Sequence, residues 1–249
     1  MNQEPLNDDL YIAGRPFKSR LILGITDFAP SLMPDVCTAS GCEIITHTLT
    51  SESDLANTAH THLDVLAKDL LYIPNTHGCK TAEDAIAVAN AIRSAGISDW
   101  IKLEVSPSTK HYMSDGIETL KAAETLVKQG FTVLPYIHAD PVLAKRLEEV
   151  GCATVMPLGA PIGTGIGVKA RDFIQLLIED VNIPVVVDAG IGAPSHAAEA
   201  MEMGVDAVIV HTAVLYSRQP ILQAQSFRAA VWAGRASYLA EPYYEKNKH

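Results

Sequence analysis

The chain is poor in the features that mark several common protein classes. Among its 249 residues there are four cysteines, Cys37, Cys42, Cys79 and Cys152. None forms a C-x-x-C pair, so neither a zinc knot nor a disulfide framework is indicated, and a reducing compartment would leave them as small buried hydrophobes. No apolar run reaches the roughly 18 residues that a membrane span needs. Residues 1–9 are polar and acidic, unlike the basic-then-apolar layout of a secretory signal, and a cytoplasmic location is expected. Positive charge is also scarce: 19 Lys and Arg stand against 29 Asp and Glu, a net charge of -10, with no basic patch to attract a phosphate backbone. Nucleic acid and membrane are therefore not expected partners. No linker, repeat or biased tract divides the chain, so one domain is expected over 1–249, with flexible tails at 1–9 and 240–249.

What the chain does have is alternation. Apolar, β-branched runs at 20–24, 43–47, 70–74, 100–105, 132–136, 154–158, 184–188 and 207–211 predict eight strands. Helical periodicity at 82–94, 117–128, 141–150, 170–179 and 196–203 falls between them, and several of these stretches open on Thr, Asp or Ser at an N-cap. Strict βα alternation implies parallel strands, and strands covered on both faces read as continuous apolar runs, as Pro184-Val185-Val186-Val187 and Ala207-Val208-Ile209-Val210 do. Eight such units predict a single (β/α)8 barrel. A doubly wound open sheet is the alternative, because periodicity does not show whether strand eight meets strand one.

In such a barrel the reactive groups lie at the carboxyl ends of the strands and in the loops that follow. Strand four reads Ile101-Lys102-Leu103-Glu104-Val105. A period of two turns Ile101, Leu103 and Val105 toward the helices, and Lys102 with Glu104 toward the barrel interior. A lysine and a carboxylate there cost several kcal/mol to desolvate unless they pair or do chemistry. One reading is a structural ion pair. The other is an imine-forming lysine whose burial lowers its pKa, with Glu104 placed to move protons. Asp188, at the end of strand seven, is a loop cap or a general acid–base group.

Two glycine-rich loops follow. Gly190-Ile191-Gly192-Ala193-Pro194-Ser195 leads into a helix that starts at about Pro194 or Ser195, where free N–H groups face an anion. With His211-Thr212-Ala213 after strand eight, this is where barrels often hold phosphate. The loop 159–167, which includes Gly163, is placed to wrap the same ligand. Its glycines lack the G-x-G-x-x-G spacing of a dinucleotide fold and come late in the chain, so nicotinamide binding is not expected. His60-x-His62 suggests a metal pair, but in the helical stretch predicted over 54–67 side chains two apart diverge, and no metal site is expected. Cys79 and His138, in loops after strands three and five, carry no role that their surroundings in the sequence can assign.

Several strings occur together and in order: Asn75-Thr76-x-Gly78-Cys79-Lys80-Thr81-Ala82-Glu83, Ile101-Lys102-Leu103-Glu104-Val105, Glu118-Thr119-Leu120-Lys121-Ala122-Ala123-Glu124, Val155-Met156-Pro157-Leu158-Gly159-Ala160-Pro161-Ile162-Gly163 and Pro184-Val185-Val186-Val187-Asp188-Ala189-Gly190-Ile191-Gly192. From about residue 10 to residue 238 the chain resembles the thiazole synthases of thiamine biosynthesis. The resemblance implies an enzyme that joins 1-deoxy-D-xylulose 5-phosphate, a glycine-derived imine, and sulfur delivered as the C-terminal thiocarboxylate of a small ubiquitin-like carrier protein. Lys102 matches the family's imine-forming lysine, and Glu104 and Asp188 its acid–base carboxylates. Gly163, Ala189, Gly190, His211 and Thr212 fall at its sugar-phosphate positions, with Gly192 in the same loop. No cofactor is implied, and a homo-oligomer is expected.

The departures lie in the loops. Gly24-Ile25-Thr26-Asp27-Phe28 puts an anion where the family carries a lysine, Thr48-Leu49-Thr50-Ser51 stands in place of paired arginines, His211 replaces an asparagine, and Tyr112-Met113-Ser114-Asp115-Gly116 replaces Leu-Leu-Pro-Asp-Pro. A kept centre with an altered rim is also the pattern of a thiosugar-forming paralogue that acts on another keto-sugar or a hexose phosphate. A catalytically silent binder of the sulfur carrier and an ordinary aldolase or isomerase barrel are the remaining readings.

Overall fold

The computed structural model describes residues 6–49, 69–108 and 110–241. The predicted helix over 54–67, with His60 and His62, and the loop positions Thr50 and Ser51 lie outside the described residues. So do 1–5 and 242–249, the greater part of the expected tails.

The eight strands predicted from sequence are present, each within a residue or two of its expected start. They are preceded by a hairpin, β1 (Leu10–Ile12) and β2 (Arg15–Phe17). The barrel strands are β3 (Leu21–Gly24), β4 (Ile44–Thr48), β5 (Leu71–Asn75), β6 (Trp100–Leu103), β7 (Thr132–Ile137), β8 (Met156–Pro157), β9 (Val186–Val187) and β10 (Ala207–Val210). The described helices are α1 (Met33–Ser40), α2 (Ala82–Ser94), α3 (Gly116–Lys128), α4 (Pro141–Glu149), α5 (Arg171–Asp180), α6 (Pro194–Glu202), α7 (Thr212–Leu215) and α8 (Pro220–Leu239).

The strands lie parallel in the order β8-β7-β6-β5-β4-β3-β10-β9. Parallel bridges Val155–Val185 and Leu158–Asp188 then join the two ends, with the Val155 N–H donating to the Pro184 carbonyl at 3.0 Å and the Gly159 N–H to that of Asp188 at 3.1 Å. The chain is thus a single (β/α)8 barrel, and the open-sheet alternative is excluded.

Alternation along each strand separates two cores. In β10, Val208 and Val210 pack between strands and helices, while Ala207 and Ile209 fill the barrel interior. Leu21 and Leu23 against Ile22 in β3 do the same, as a period of two requires. Leu10, Ile12 and Phe17 of the hairpin join the interior cluster with Ile22, Ile44, Leu71, Leu134 and Ala207, so the hairpin closes the amino-terminal end of the barrel. Its turn uses Ala13 and Gly14 at φ 49° and 76°, a left-handed pair suited to a tight two-residue reversal.

Helix starts follow local chemistry. Thr81 and Asp84 form a reciprocal capping box on α2, and Asp115 and Asp140 each accept two backbone N–H groups at the starts of α3 and α4. The stretches singled out as helical in the sequence stop at 203, whereas α8 adds twenty residues against α6 and α1. It lies close because Gly234 has no side chain: a Cβ there would come within 2.4 Å of the Ala198 carbonyl oxygen. From α8, Arg235 binds Asp8, which also pairs with Arg20, and Asp9 pairs with Lys18, so residues 8 and 9 are held to the barrel.

Gly234→Ala is expected to force α8 away from α6 and to lower stability by about 1–3 kcal/mol, the usual cost of overpacking. A urea unfolding midpoint equal to that of the parent would show that the contact yields freely.

Candidate active site

The inward face of β6 carries Trp100 against the interior apolar cluster, and the next inward positions are Lys102 and Glu104. Asp188 follows β9 across the barrel mouth. These three come together: Lys102 Nζ lies 2.9 Å from Glu104 Oε1 and 2.7 Å from Asp188 Oδ2. All three are buried, and the ring of Tyr136 from β7 lies 5.9 Å from the ammonium. A fourth group completes the cluster. His77 Nδ1 is 2.7 Å from Glu104 Oε2, and its ring stacks on Tyr112 with centroids 4.6 Å apart.

The charges do not settle as burial alone predicts. Burial depresses the Lys102 ammonium, but Asp188 and Glu104 outweigh it, and its pKa moves upward. The lowered pKa expected from sequence is therefore corrected: in the resting site Lys102 is a cation. Burial also opposes ionisation of Glu104, yet Lys102 and His77 prevail and bring its carboxyl down to about 2. Asp188 goes the other way, because burial, reinforced by the Glu104 charge, exceeds the pull of Lys102. His77 is raised by its bond to Glu104, against a smaller opposing effect of burial.

Above this cluster is a cavity of about 410 Å³. Its lining includes Gly163, Ala189, Gly190, His211 and Thr212 from the predicted set, together with Lys102, Glu104 and Asp188. Gly192 is not on the lining; it packs against the other glycine loop, where an added Cβ would meet the Gly165 carbonyl oxygen at 2.3 Å. Gly190, at φ 79°, is needed for a similar reason, since a Cβ would lie 2.5 Å from the Ala160 nitrogen. The two glycine loops are thus keyed together, with the Gly167 N–H donating to the Gly190 carbonyl at 2.8 Å. Helix α6 does begin at Pro194.

His211 donates from Nε2 to the Thr26 carbonyl at 2.7 Å, and burial lowers its pKa, so the ring is neutral near pH 7. Cys79 is buried beside the site and its thiol is pushed up to about 11, too high for a reactive thiolate. His138 is not on the cavity lining. Among the described residues no group of His, Cys, Asp or Glu is arranged to hold a metal ion, and no helix is long and apolar enough to cross a membrane.

Sequence reasoning had marked the loops that carry Thr26 and Thr48 as the rim, and it assigned no role to His77, Thr46 and Asn75; all five are on the cavity wall. Thr46, Thr48 and Asn75 follow the inward residues Ile44 and Ile73 at intervals of two, so the strand period carried their signal. His77 had a weaker one, its place in the loop after a strand end.

A closed (β/α)8 barrel with a buried lysine held between two carboxylates at the carboxyl ends of its strands is a barrel of the enzyme type. Comparison with known proteins narrows the class. The family model described as thiazole biosynthesis protein ThiG matches residues 11–249. "Thiazole synthase 2" of Syntrophotalea carbinolica is 54% identical over 240 residues, covering 94% of this chain and 91% of that protein. The thiazole synthase of Vibrio atlanticus is 52% identical over 232 residues, covering 93% and 91%. Among solved structures, the BexX/CysO complex of Amycolatopsis orientalis superposes with a TM-score of 0.85 at 34% identity, covering 95% of this chain and 97% of that one. The chain belongs to the ThiG family of thiazole biosynthesis proteins.

Removing the cation strands two buried anions. Lys102→Met is expected to lower stability at pH 7 by about 3–5 kcal/mol. The deficit narrows toward pH 5, where Asp188, left in the variant without a cation, takes up a proton, while Glu104 of the parent, at about 2, stays ionised. Urea midpoints for the two proteins at both pH values test this, and equal midpoints at pH 7 would refute it.

Proposed function

We propose that this chain is a thiazole synthase, a transferase that builds the thiazole phosphate of thiamine through an imine on Lys102. Its substrates are 1-deoxy-D-xylulose 5-phosphate, a glycine-derived imine, and sulfur from the C-terminal thiocarboxylate of a small ubiquitin-like carrier protein. The observation that carries this reading is the contact of one buried ammonium with two carboxylates of opposed acidity, in a chain of the ThiG family.

The opposed acidities divide the work. Lys102 must lose a proton before it can attack, and Asp188, 2.7 Å away with its carboxyl raised, is the acceptor. The free amine adds to the sugar ketone. Asp188 returns the proton as the hydroxyl leaves as water, and the product is a protonated imine. That cation draws electrons from the neighbouring C–H bond, and an adjacent carboxylate takes the proton. Glu104, ionised at rest, places a negative charge next to the iminium as it forms. Successive proton shifts move the carbonyl along the sugar and open a carbon to the sulfur nucleophile. No metal or organic cofactor enters these steps.

The sugar phosphate is assigned to the facing glycine loops and the start of the last βα turn, with Gly163, Ala189, Gly190, His211 and Thr212 on the cavity lining and Gly192 behind them, keying the two loops together. Gly163, Ala189 and Gly190 all have positive φ and lie on the cavity lining, where little side chain stands between their backbone and a ligand. His211, neutral and bonded to Thr26, serves as a polar wall and not as a counter-cation. The carrier protein is supported by the solved BexX complex, in which a barrel of the same architecture is bound to a second protein, CysO. The enzyme is read as a single-domain, cytoplasmic homo-oligomer.

A second reading, a thiosugar-forming paralogue, is favoured by the opposite wall. There Thr26, Thr48 and Asp27 line the cavity, with the Thr48 N–H bonded to Thr26 Oγ1 at 3.0 Å, and they offer hydroxyl-binding groups where the family carries cations. The complete Lys102, Glu104 and Asp188 set speaks against a silent binder.

Borohydride reduction separates the readings. The protein is incubated separately with deoxyxylulose 5-phosphate and with hexose 6-phosphates, reduced, and weighed intact beside a Lys102→Ala control. A lysine-dependent adduct with deoxyxylulose 5-phosphate is expected. An adduct with a hexose phosphate alone selects the thiosugar reading, and no adduct with any sugar refutes the imine.

A further inference from the structure

Lys102, Glu104 and Asp188 together carry one positive and two negative charges at the floor of the cavity, where they are only 7%, 3% and 6% exposed. Proton chemistry at such a centre needs a route outward and a second cation to balance the site. His77 meets both needs. Its Nδ1 is 2.7 Å from Glu104 Oε2, and the other oxygen of that carboxylate is 2.9 Å from Lys102 Nζ, so one carboxylate links the imidazole to the amine. Its side chain is 28% exposed where that of Glu104 is 4% exposed, and it lines the same cavity. The ring is held in place: Tyr112 stacks on it, and its backbone N–H donates to Asn75 Oδ1 at 3.1 Å.

We propose that His77 is the proton-relay residue of this site, passing protons between cavity solvent and Glu104 and thereby setting the charge around Lys102. The proposal rests on the imine reading for its catalytic meaning. The relay itself is a property of the His77–Glu104 contact and is testable without it. With His77 protonated, the two cations match the two carboxylates. When Lys102 gives up its proton, the imidazolium keeps Glu104 from having to take one. When the iminium later acidifies the sugar, a neutral imidazole accepts through Glu104 the proton that must leave.

The ionisable groups facing His77 are Glu104 and Lys102 from β6, Asp188 after β9 and Tyr112 from the loop before α3. The two carboxylates favour its charged form and Lys102 opposes it, with Glu104 the dominant partner. A raised imidazole stays protonated to higher pH and loses its proton as pH climbs through its pKa. Steps that need the imidazolium therefore fail on the alkaline side of the profile.

Two variants and one titration test this. His77→Gln keeps an N–H for Glu104 but does not titrate, and His77→Ala removes both properties. With deoxyxylulose 5-phosphate as probe, the Gln variant is expected to retain the borohydride-trapped adduct. Its turnover, followed as loss of carrier thiocarboxylate, should fall about 10²–10⁴-fold, the range for a lost acid–base group. Its alkaline limb should disappear, and added imidazole should restore part of the turnover of the Ala variant. A Gln variant with the parent's rate and pH profile would reduce His77 to an anchor and overturn the proposal. Independently, the His77 ring is titrated by NMR in the parent and in Glu104→Gln: a downward shift in the variant supports the link, and an unchanged titration overturns it. A parent that traps no sugar refutes the imine reading, and the NMR comparison still decides the relay.

Discussion

The interaction on which the site depends is the placement of one lysine ammonium between two carboxylates inside a barrel. A lone buried charge costs several kcal/mol to remove from water, and only close partners of opposite sign offset that cost. Lys102 has both, at 2.9 Å and 2.7 Å. The two partners differ in origin: Glu104 is a neighbour on the same strand, whereas Asp188 comes from a strand elsewhere in the ring. In the hydrogen-bonded order of the sheet, β6 and β9 are five places apart. At about 4.8 Å per strand that is roughly 24 Å, too far for contact. The bridges between β8 and β9 close the ring and shorten the path to three places, which across a curved mouth becomes a direct ion pair. Barrel closure and the ion pair therefore support one another.

That pairing also decides which proton goes where. Two carboxylates near one lysine do not share its charge equally: Glu104, bonded as well to His77, is held at about 2, and Asp188, lacking a second cation, is raised. Such a split is the usual way one site holds two carboxylates in different protonation equilibria. It leaves Lys102 charged at rest.

Around this centre the structure divides into a fixed and an adaptable half. The keyed glycine loops, where Gly190 and Gly192 admit no side chain, define a rigid wall. Across the cavity, Thr26, Asp27 and Thr48 form a wall of hydrogen-bonding side chains on a loop and a strand end. His77 stands between the two walls and is bonded directly to Glu104, which follows β6.

Much of the fold was legible in the sequence because periodicity is a local property. The eight strands, the start of α6 at Pro194 and the inward turn of Lys102 and Glu104 all follow from patterns spanning a few residues. The hairpin at 10–17 escaped because two three-residue strands are too short to show alternation. Helix α8 escaped because its buried stripe, Ala224, Phe227, Val231 and Gly234, is half small residues, and the close approach that Gly234 permits leaves only a weak apolar signal in the sequence. The sequence by itself determined the barrel strands and which side chains turn into its interior, because both follow from a period of two along each strand. Only the tertiary structure decided that Lys102 is a cation, that Asp188 and Glu104 lie on opposite sides of the usual carboxylate pKa, and that His77 joins them. Charge states in a buried cluster depend on distances of a few ångströms between groups far apart in the chain, and no local pattern records those distances.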